Sequence, residues 1–404
     1  MEKLSDNFKY NPVESYNALN FVEKLFLYCL ILLIFNSNRF GQTMDSNLTQ
    51  IDNILQKEIS NNKTPSVCYY LFNTDTVLKE VHLGFADLKG KLKANKNTFY
   101  KAFSATKTFT ALAVLQLAEQ AKLNLDDLIY KYLPNFVYGN TITIKQVLSH
   151  SAGIPNPIPL NWIHSVDEHA NFDRDRYFES ILKKHSKTKH QPNQKFAYSN
   201  LGYFILGQLI EKISGLSYET YIEQNIIKRL GLDTASIDFQ INFKNAIGYN
   251  KRISFANAFI GWFINKSKFM QPAIGKWKPY NYFYPNGASY AGLIGTPRAF
   301  VTYLQALLKH NSVLLSDEFK KQLFSENITN NGKPSGMSLG WFTDQLNGIP
   351  YLAHPGGAGG YYCELRIYPE QGVGSVVFFN RTGMSNAKFL DKLDKYYFQG
   401  IDHL

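Results

Sequence analysis

Ser104-Ala105-Thr106-Lys107 sets a hydroxyl and an amine three residues apart at the head of an apolar run, residues 109–118. Between Lys101 and Glu119 the only charged residue is Lys107. On a helix, residues i and i+3 share a face, so the Lys107 amine reaches the Ser104 hydroxyl on the adjacent turn. A charge on so apolar a segment is costly unless it is paired. A serine beside a partly desolvated lysine at a helix start is one route to an activated nucleophile. The plainer alternative is an N-capping serine and a lysine that snorkels out of the first turn.

Two further groups bear on that choice. Tyr198-Ser199-Asn200 stands just before a second apolar run, residues 201–213. A tyrosine takes up a proton where a nearby cation lowers its pKa from about 10. Asn200 offers a carboxamide that orients a substrate amide or holds the lysine. Capping of the following helix by Ser199 or Asn200 is the competing explanation. His354-Pro355-Gly356-Gly357 follows a strand predicted over 349–353. Glycines there let a substrate lie against the backbone. An N–H of this segment, with that of Ser104, makes an oxyanion hole. A Gly-rich bend with a structural histidine is the alternative.

Other matches carry less. Gly336-Met337-Ser338-Leu339-Gly340 fits Gly-x-Ser-x-Gly, but that elbow requires a strand before it and a helix after it. Here Trp341 onward reads as strand, Asn-Gly turn, strand. His164, Glu168 and His169 have the wrong spacing for either zincin pattern.

The elements that must position these residues fall into an order. Helical periodicity covers 48–59. Strands are predicted over 66–72 and 77–85 around a turn at 73–76. The helix beginning near Ser104 follows. A region of mostly helical periodicity runs from about 125 to 230, with a short helix at 145–149. Residues 251–285 interleave aromatics (Phe255, Phe259, Trp262, Phe283 among them) with lysines. That segment reads as a loop packing on its own domain, or as a lid or membrane-contacting flap. Asn347-Gly348 between 339–345 and 349–353 is a type I′ hairpin signal. Strands at 361–368 and 373–380 and a terminal helix at 387–398 complete the chain. Strands at both ends and helices between predict an α+β fold: one antiparallel sheet from both chain ends, flanked by helices, with a mostly helical insert at about 125–285.

The order Ser-x-x-Lys, Tyr-x-Asn, His-x-Gly resembles the serine β-lactamase and penicillin-binding protein superfamily, in its class C-like and D-Ala-D-Ala carboxypeptidase-like branch. The likeness extends beyond the triplets. Residues 143–154 are similar to that branch's stretch ending in Leu-Leu-Ser-His-Thr-Ser-Gly. Residues 192–213 are similar to its Pro-Gly-x-x-Phe-x-Tyr-Ser-Asn segment and the following helix. Residues 291–296 are similar to its Gly-Gly-Leu-x-Ser-Thr segment. The match covers roughly residues 48–398.

The resemblance implies a β-lactamase/transpeptidase-like fold and a serine hydrolase that works through an acyl-enzyme on an amide, peptide or ester, without cofactor or metal. It implies Ser104 as nucleophile, with Lys107 and Tyr198 sharing its proton. Asn200 orients the substrate, His354 stands where other members carry lysine, and the N–H groups of Ser104 and Gly357 form the oxyanion hole beside Gly356. A penicillin-binding or interaction protein that acylates slowly, or does not turn over, is the alternative. Pro355 departs from the pattern. It replaces a Thr or Ser that often helps bind a substrate carboxylate, and proline has neither hydroxyl nor N–H. His354 is also a weaker cation than lysine at neutral pH.

Bulk properties set the frame. The 404 residues are 45% hydrophobic and 15% aromatic, enough for a large core, and the 19% charged residues form no like-charge block. A formal charge of +11 suits an anionic lipid or cell-wall polymer. No nucleic-acid motif accompanies it, so the expected partner is a small-molecule or peptide substrate. Cys29, Cys68 and Cys363 lack metal-ligand spacing, and the last two read as buried free thiols. The apolar run at 25–35 is too short to span a bilayer comfortably and suits a signal-peptide core. Residues 1–42 are therefore expected to be a signal-like or anchor segment, and 43–404 a single exported or membrane-anchored domain. Membrane association through that run or through 251–285 is the attendant expectation.

Overall fold

A computed structural model describes residues 46–242, 244–254, 257, 259–382 and 388–399. The segment 1–42, Cys29 and Phe255 lie outside the described residues. Among the described residues, no helix is long and apolar enough to cross a membrane. The chain divides into two compact units. In one, the described residues 46–52 and 396–399 are helical. The other, Asn53–Lys395, carries everything below.

Its frame is a seven-stranded antiparallel sheet. The strands are β1 (Ser66–Asn73), β2 (Val77–Asp87), β3 (Leu92–Lys93), β4 (Phe342–Leu346), β5 (Ile349–Ala358), β6 (Tyr361–Tyr368) and β7 (Val373–Phe379). The order across the sheet is β4-β5-β6-β7-β1-β2-β3, so the C-terminal strands pair with the N-terminal hairpin through β7 and β1. Every residue of β7 is buried, which accounts for its mostly apolar sequence; the one hydroxyl, of Ser375, donates to Asp394 Oδ2 at 2.8 Å. The turn from β4 to β5 has positive φ at both Asn347 and Gly348, as a type I′ turn requires.

Three helices matter for the site: α1 (Thr106–Glu119), α2 (Asn200–Ser214) and α3 (Pro297–Leu308). Helix α3 lies on the sheet, with Phe300 against Phe378 of β7 at 5.1 Å between ring centroids. Helix α1 packs on its far side through the stacked Phe109–Tyr303 pair, 3.9 Å apart. The opposite flank of α1 meets α2. Enclosed in this way, α1 is buried from Thr106 to Leu117, so it is apolar all round rather than amphipathic.

Four expectations need correction. First, β5 does not end at Ala353. It runs through His354-Pro355-Gly356-Gly357 to Ala358. Strand β4 accompanies it only as far as Ala353, so the remainder is a local sheet edge, where proline and glycine are tolerated. Second, residues 339–341 precede β4 instead of belonging to it. Third, the region inserted between the sheet halves is helical only to about residue 230. From there to 285 the described residues form loops, strands of two or three residues and single helical turns such as Ile260–Trp262 and Lys266–Phe269, because the aromatics follow no helical period. Fourth, the terminal helix starts at Asp391 rather than near 387.

Candidate active site

Ser104 lies on a single 3-10 turn, Phe103–Ala105, that leads directly into α1. Neither the turn nor the helix has a side-chain N-cap, so the Ser104 hydroxyl is not spent on capping. Both flanks of the turn are pinned to Leu293: the Ala102 N–H donates to its carbonyl at 2.9 Å, and its N–H donates to Thr106 Oγ1 at 3.1 Å. Phe103 is forced to a φ of +44°, a region that disfavours bulky side chains. The rings of Phe283 and Tyr361, 6.3 and 6.1 Å away, hold it there. Such strain is typical of sites that the surrounding structure over-determines.

One turn on, Lys107 is fully buried. Its Nζ lies 3.2 Å from Ser104 Oγ and donates to the Tyr290 carbonyl at 2.9 Å. The rings of Tyr198, Tyr290 and Tyr203 surround the amine, with centroids 5.0, 5.5 and 5.7 Å away. Among the described residues no carboxylate pairs with it. Burial therefore pushes its pKa well below the usual lysine value, which favours the neutral amine. A neutral Nζ keeps a lone pair to receive the Ser104 proton.

Tyr198 comes from the segment entering α2 and lines the cleft together with Ser104. Here the expected direction reverses. Burial raises the Tyr198 pKa, and the nearby Ser104 hydroxyl only moderates that rise. The two shifts leave Lys107 as the neutral, proton-accepting group beside Ser104 and Tyr198 as a protonated phenol. Ser199 caps α2, accepting from the Gly202 N–H at 3.0 Å. Asn200 occupies the first helical position. Its backbone N–H and its Nδ2 both donate to Asn156 Oδ1, at 3.1 and 3.2 Å. It lines the cleft beside Ser104, while the Lys107 bonds go to Ser104 and Tyr290.

His354 is fully buried on β5, with ring centroids 6.4 Å from Tyr198 and 5.4 Å from Phe342. Burial, reinforced by Lys107, lowers its pKa to about 3, so the ring is neutral. Its Nδ1–H donates to the Pro355 carbonyl at 2.8 Å, which leaves Nε2 as a bare acceptor with no partner among the described residues. Gly356 explains how β5 approaches the nucleophile. A Cβ there would sit 1.9 Å from the Ala102 carbonyl oxygen, so only glycine lets the strand lie against the serine turn. Gly357 is exposed and lines both hollows beside Ser104.

Those hollows are a cleft of about 470 Å³ and a shallower groove of about 380 Å³ along β5. Larger hollows of about 630 and 800 Å³ lie elsewhere and hold none of these residues. The aromatic segment divides in two. Phe259, Ile260, Ile264, Tyr280 and Phe283 line the cleft, Phe269, Trp277 and Tyr284 are buried, and Trp262 is exposed.

Three contributors escaped sequence reasoning. His150, at a φ of +53°, accepts the Ser199 N–H at 3.1 Å and lies 4.4 Å from the Tyr198 ring, so it fixes the Tyr-x-Asn segment. Asn156 anchors Asn200, and the Tyr290 carbonyl orients Lys107. His150 stood in the quoted 143–154 stretch, whereas Asn156 sits in a Pro-Asn-Pro loop that carries no periodic signal. Of the other motifs, Ser338 is fully buried with its hydroxyl on the Trp341 carbonyl, and Glu168 closes a capping box with Ser165. Cys68 and Cys363 are buried free thiols.

The protein-family model described as Beta-lactamase matches residues 51–396. Among curated proteins, Protein flp of Staphylococcus aureus (strain NCTC 8325 / PS 47) is 28% identical over 360 residues. That match covers 85% of this chain, which spans 64% of the length of that relative. Among solved structures, the octameric penicillin-binding protein homologue from Pyrococcus abyssi superposes with a TM-score of 0.71 at 21% identity, covering 87% of this chain and 77% of that one. The D-amino acid amidase from Ochrobactrum anthropi SV3 superposes with a TM-score of 0.71 at 16% identity, covering 89% and 99%. At these identities the two structures share the fold.

Proposed function

The chain belongs to the beta-lactamase family, and from that premise we propose that it is a serine hydrolase acting through an acyl-enzyme on Ser104. The observation that carries this reading is the neutral-leaning, fully buried Lys107 amine 3.2 Å from the Ser104 hydroxyl. Lys107 Nζ takes the serine proton as Oγ bonds to the substrate carbonyl carbon. The N–H groups of Ser104 and Gly357 receive the developing oxyanion. The bond to the leaving nitrogen or oxygen then breaks. Tyr198 passes its phenolic proton to the leaving atom and is reprotonated from Lys107. Water attacks the acyl-enzyme as Lys107 takes its proton, the bond to Ser104 Oγ breaks, and Lys107 returns the proton to Oγ, releasing the acid and regenerating Ser104. Asn200 orients the substrate at the rim of the cleft.

The test is turnover of p-nitrophenyl esters, acylated D-Ala-D-Ala peptides and nitrocefin by the wild type and by Ser104→Ala. Turnover with full loss in Ser104→Ala is expected, and undiminished activity in the variant would sink the mechanism. Labelling of Ser104 without turnover of any substrate would leave an acylating binder instead. An exported or membrane-anchored location, with residues 25–35 as signal or anchor, belongs to the same reading. Recovery of the protein solely in the cytosol on cell fractionation would contradict it.

A further inference from the structure

We infer that the site is shaped for a neutral, apolar acyl donor: an ester or amide whose acyl part is a hydrocarbon chain or aromatic group, with no carboxylate on either side of the scissile bond. The inference rests on Ser104 being the nucleophile proposed above.

The walls carry the first part of the argument. The cleft at Ser104 is lined by Phe103, Trp162, Ile260, Ile264, Phe283 and Tyr290, drawn from separate stretches of the chain. Neither this cleft nor the groove along β5 has an Asp, Glu, Lys or Arg among its described lining residues. The nearby cations are turned away. Lys107 is held by Ser104 and Tyr290. Lys101 is 2% exposed, with Nζ donating to the Phe283 carbonyl at 2.6 Å behind the wall. Arg381 is buried next to the lining residue Thr382 and is not itself part of the lining. A carboxylate entering such a site loses its water and gains no counter-ion.

The groove supplies the second part. The His354 Nδ1–H is committed to the Pro355 carbonyl, and Nε2 is buried with no partner among the described residues, so the ring offers the groove neither a cation nor a free donor. Pro355 beside it has neither hydroxyl nor N–H. A carboxylate on the leaving group would therefore find neither a cation nor a donor on this side of the groove. An ester alkyl group or a carboxamide needs neither.

The experiment uses the full chain and measures kcat/KM for p-nitrophenyl esters from acetate to hexanoate. It adds the mono-p-nitrophenyl ester of adipic acid, which places a carboxylate at the end of the same six-carbon chain. The leaving-group side is read from the hexanoyl esters of methyl 4-hydroxybenzoate and of 4-hydroxybenzoate. A fluorophosphonate probe followed by peptide mass analysis reports independently on Ser104. Burial of each methylene in the cleft raises kcat/KM about 4-fold along the series. A carboxylate at either end lowers it at least about 100-fold. Ile260→Lys and Leu160→Lys, at half-buried wall positions, each shrink the hexanoate-to-adipate ratio at least about 10-fold. Equal or better turnover of the carboxylate substrates, with Ser104 labelled, overturns this inference and leaves the hydrolase standing. Absence of both Ser104 labelling and turnover overturns the hydrolase reading and this inference with it.

Discussion

Lys107→Met removes the amine and keeps an unbranched side chain of similar length in the aromatic cage. Two consequences can be worked out separately. The first is chemical: losing a positioned general base lowers kcat/KM by about 10²–10⁴. The second is thermodynamic and depends on the protonation state. In the fold, burial without a carboxylate partner favours the neutral Lys107 amine, whereas in the unfolded chain a lysine stays protonated up to about pH 10.4. Between those limits the unfolded state binds one proton more than the folded state. Stability then rises with pH by about 1.4 kcal/mol per unit. The variant lacks that term. Lys101, whose pKa burial lowers to about 7, has a similar slope but is present in both proteins and cancels. The stability difference between wild type and Lys107→Met should therefore shift toward the wild type as the pH rises from 7.5 to 9, by up to about 1.4 kcal/mol per unit. Urea unfolding of both proteins across that range measures the shift. A pH-independent difference means that Lys107 is charged in the fold, and the neutral-base argument then fails.

Three further outcomes are expected. Gly356→Ala drives a Cβ toward the Ala102 carbonyl oxygen; it should cost about 1–3 kcal/mol in chemical unfolding and, by displacing Gly357, about 10²–10³ in kcat. His354 has a folded pKa of about 3 against an unfolded value near 6.5, so its neutral burial stabilises fully above pH 6.5 and loses that contribution as the pH falls toward 3. The loss should reach about 2 kcal/mol by pH 5, His150 adds a loss in the same direction, and a flat acid profile that His354→Gln leaves unchanged would refute the assignment. Ser338→Ala should leave turnover at the wild-type level, because that hydroxyl is fully buried away from Ser104; an inactive but folded variant would revive the Gly-x-Ser-x-Gly elbow.

The parts of the site that obey local rules were legible in the sequence. Ser104 and Lys107 meet because three residues make nearly one turn, and the β4–β5 hairpin follows from Asn347-Gly348. The two apolar helices follow from long, mostly hydrophobic runs. The rest depends on contacts between distant residues. His354 to Gly357 fall after the predicted strand because Pro355 and two glycines ordinarily break strands, and only the early end of β4 makes that stretch an edge where they fit. The direction of the Tyr198 shift could not be read either, since it depends on how deeply the phenol itself is buried. Asn156 and the Tyr290 carbonyl act through hydrogen bonds, which leave no periodic trace. The disagreement over 251–285 has the same origin: whether an aromatic faces its own loop or the cleft is decided by side-chain direction, residue by residue.

The open edge of β5 has a consequence for how molecules of this protein behave toward one another. A strand edge that must stay free for substrate is also a template for pairing with another chain, and proteins usually cover or charge such edges. This one cannot be covered without closing the site. Pro355 contributes no N–H to an incoming ladder, and the glycines after it have no side chain to hold one in register. The same proline, with no N–H to offer, thus gives a second copy of the chain less to pair with along that edge.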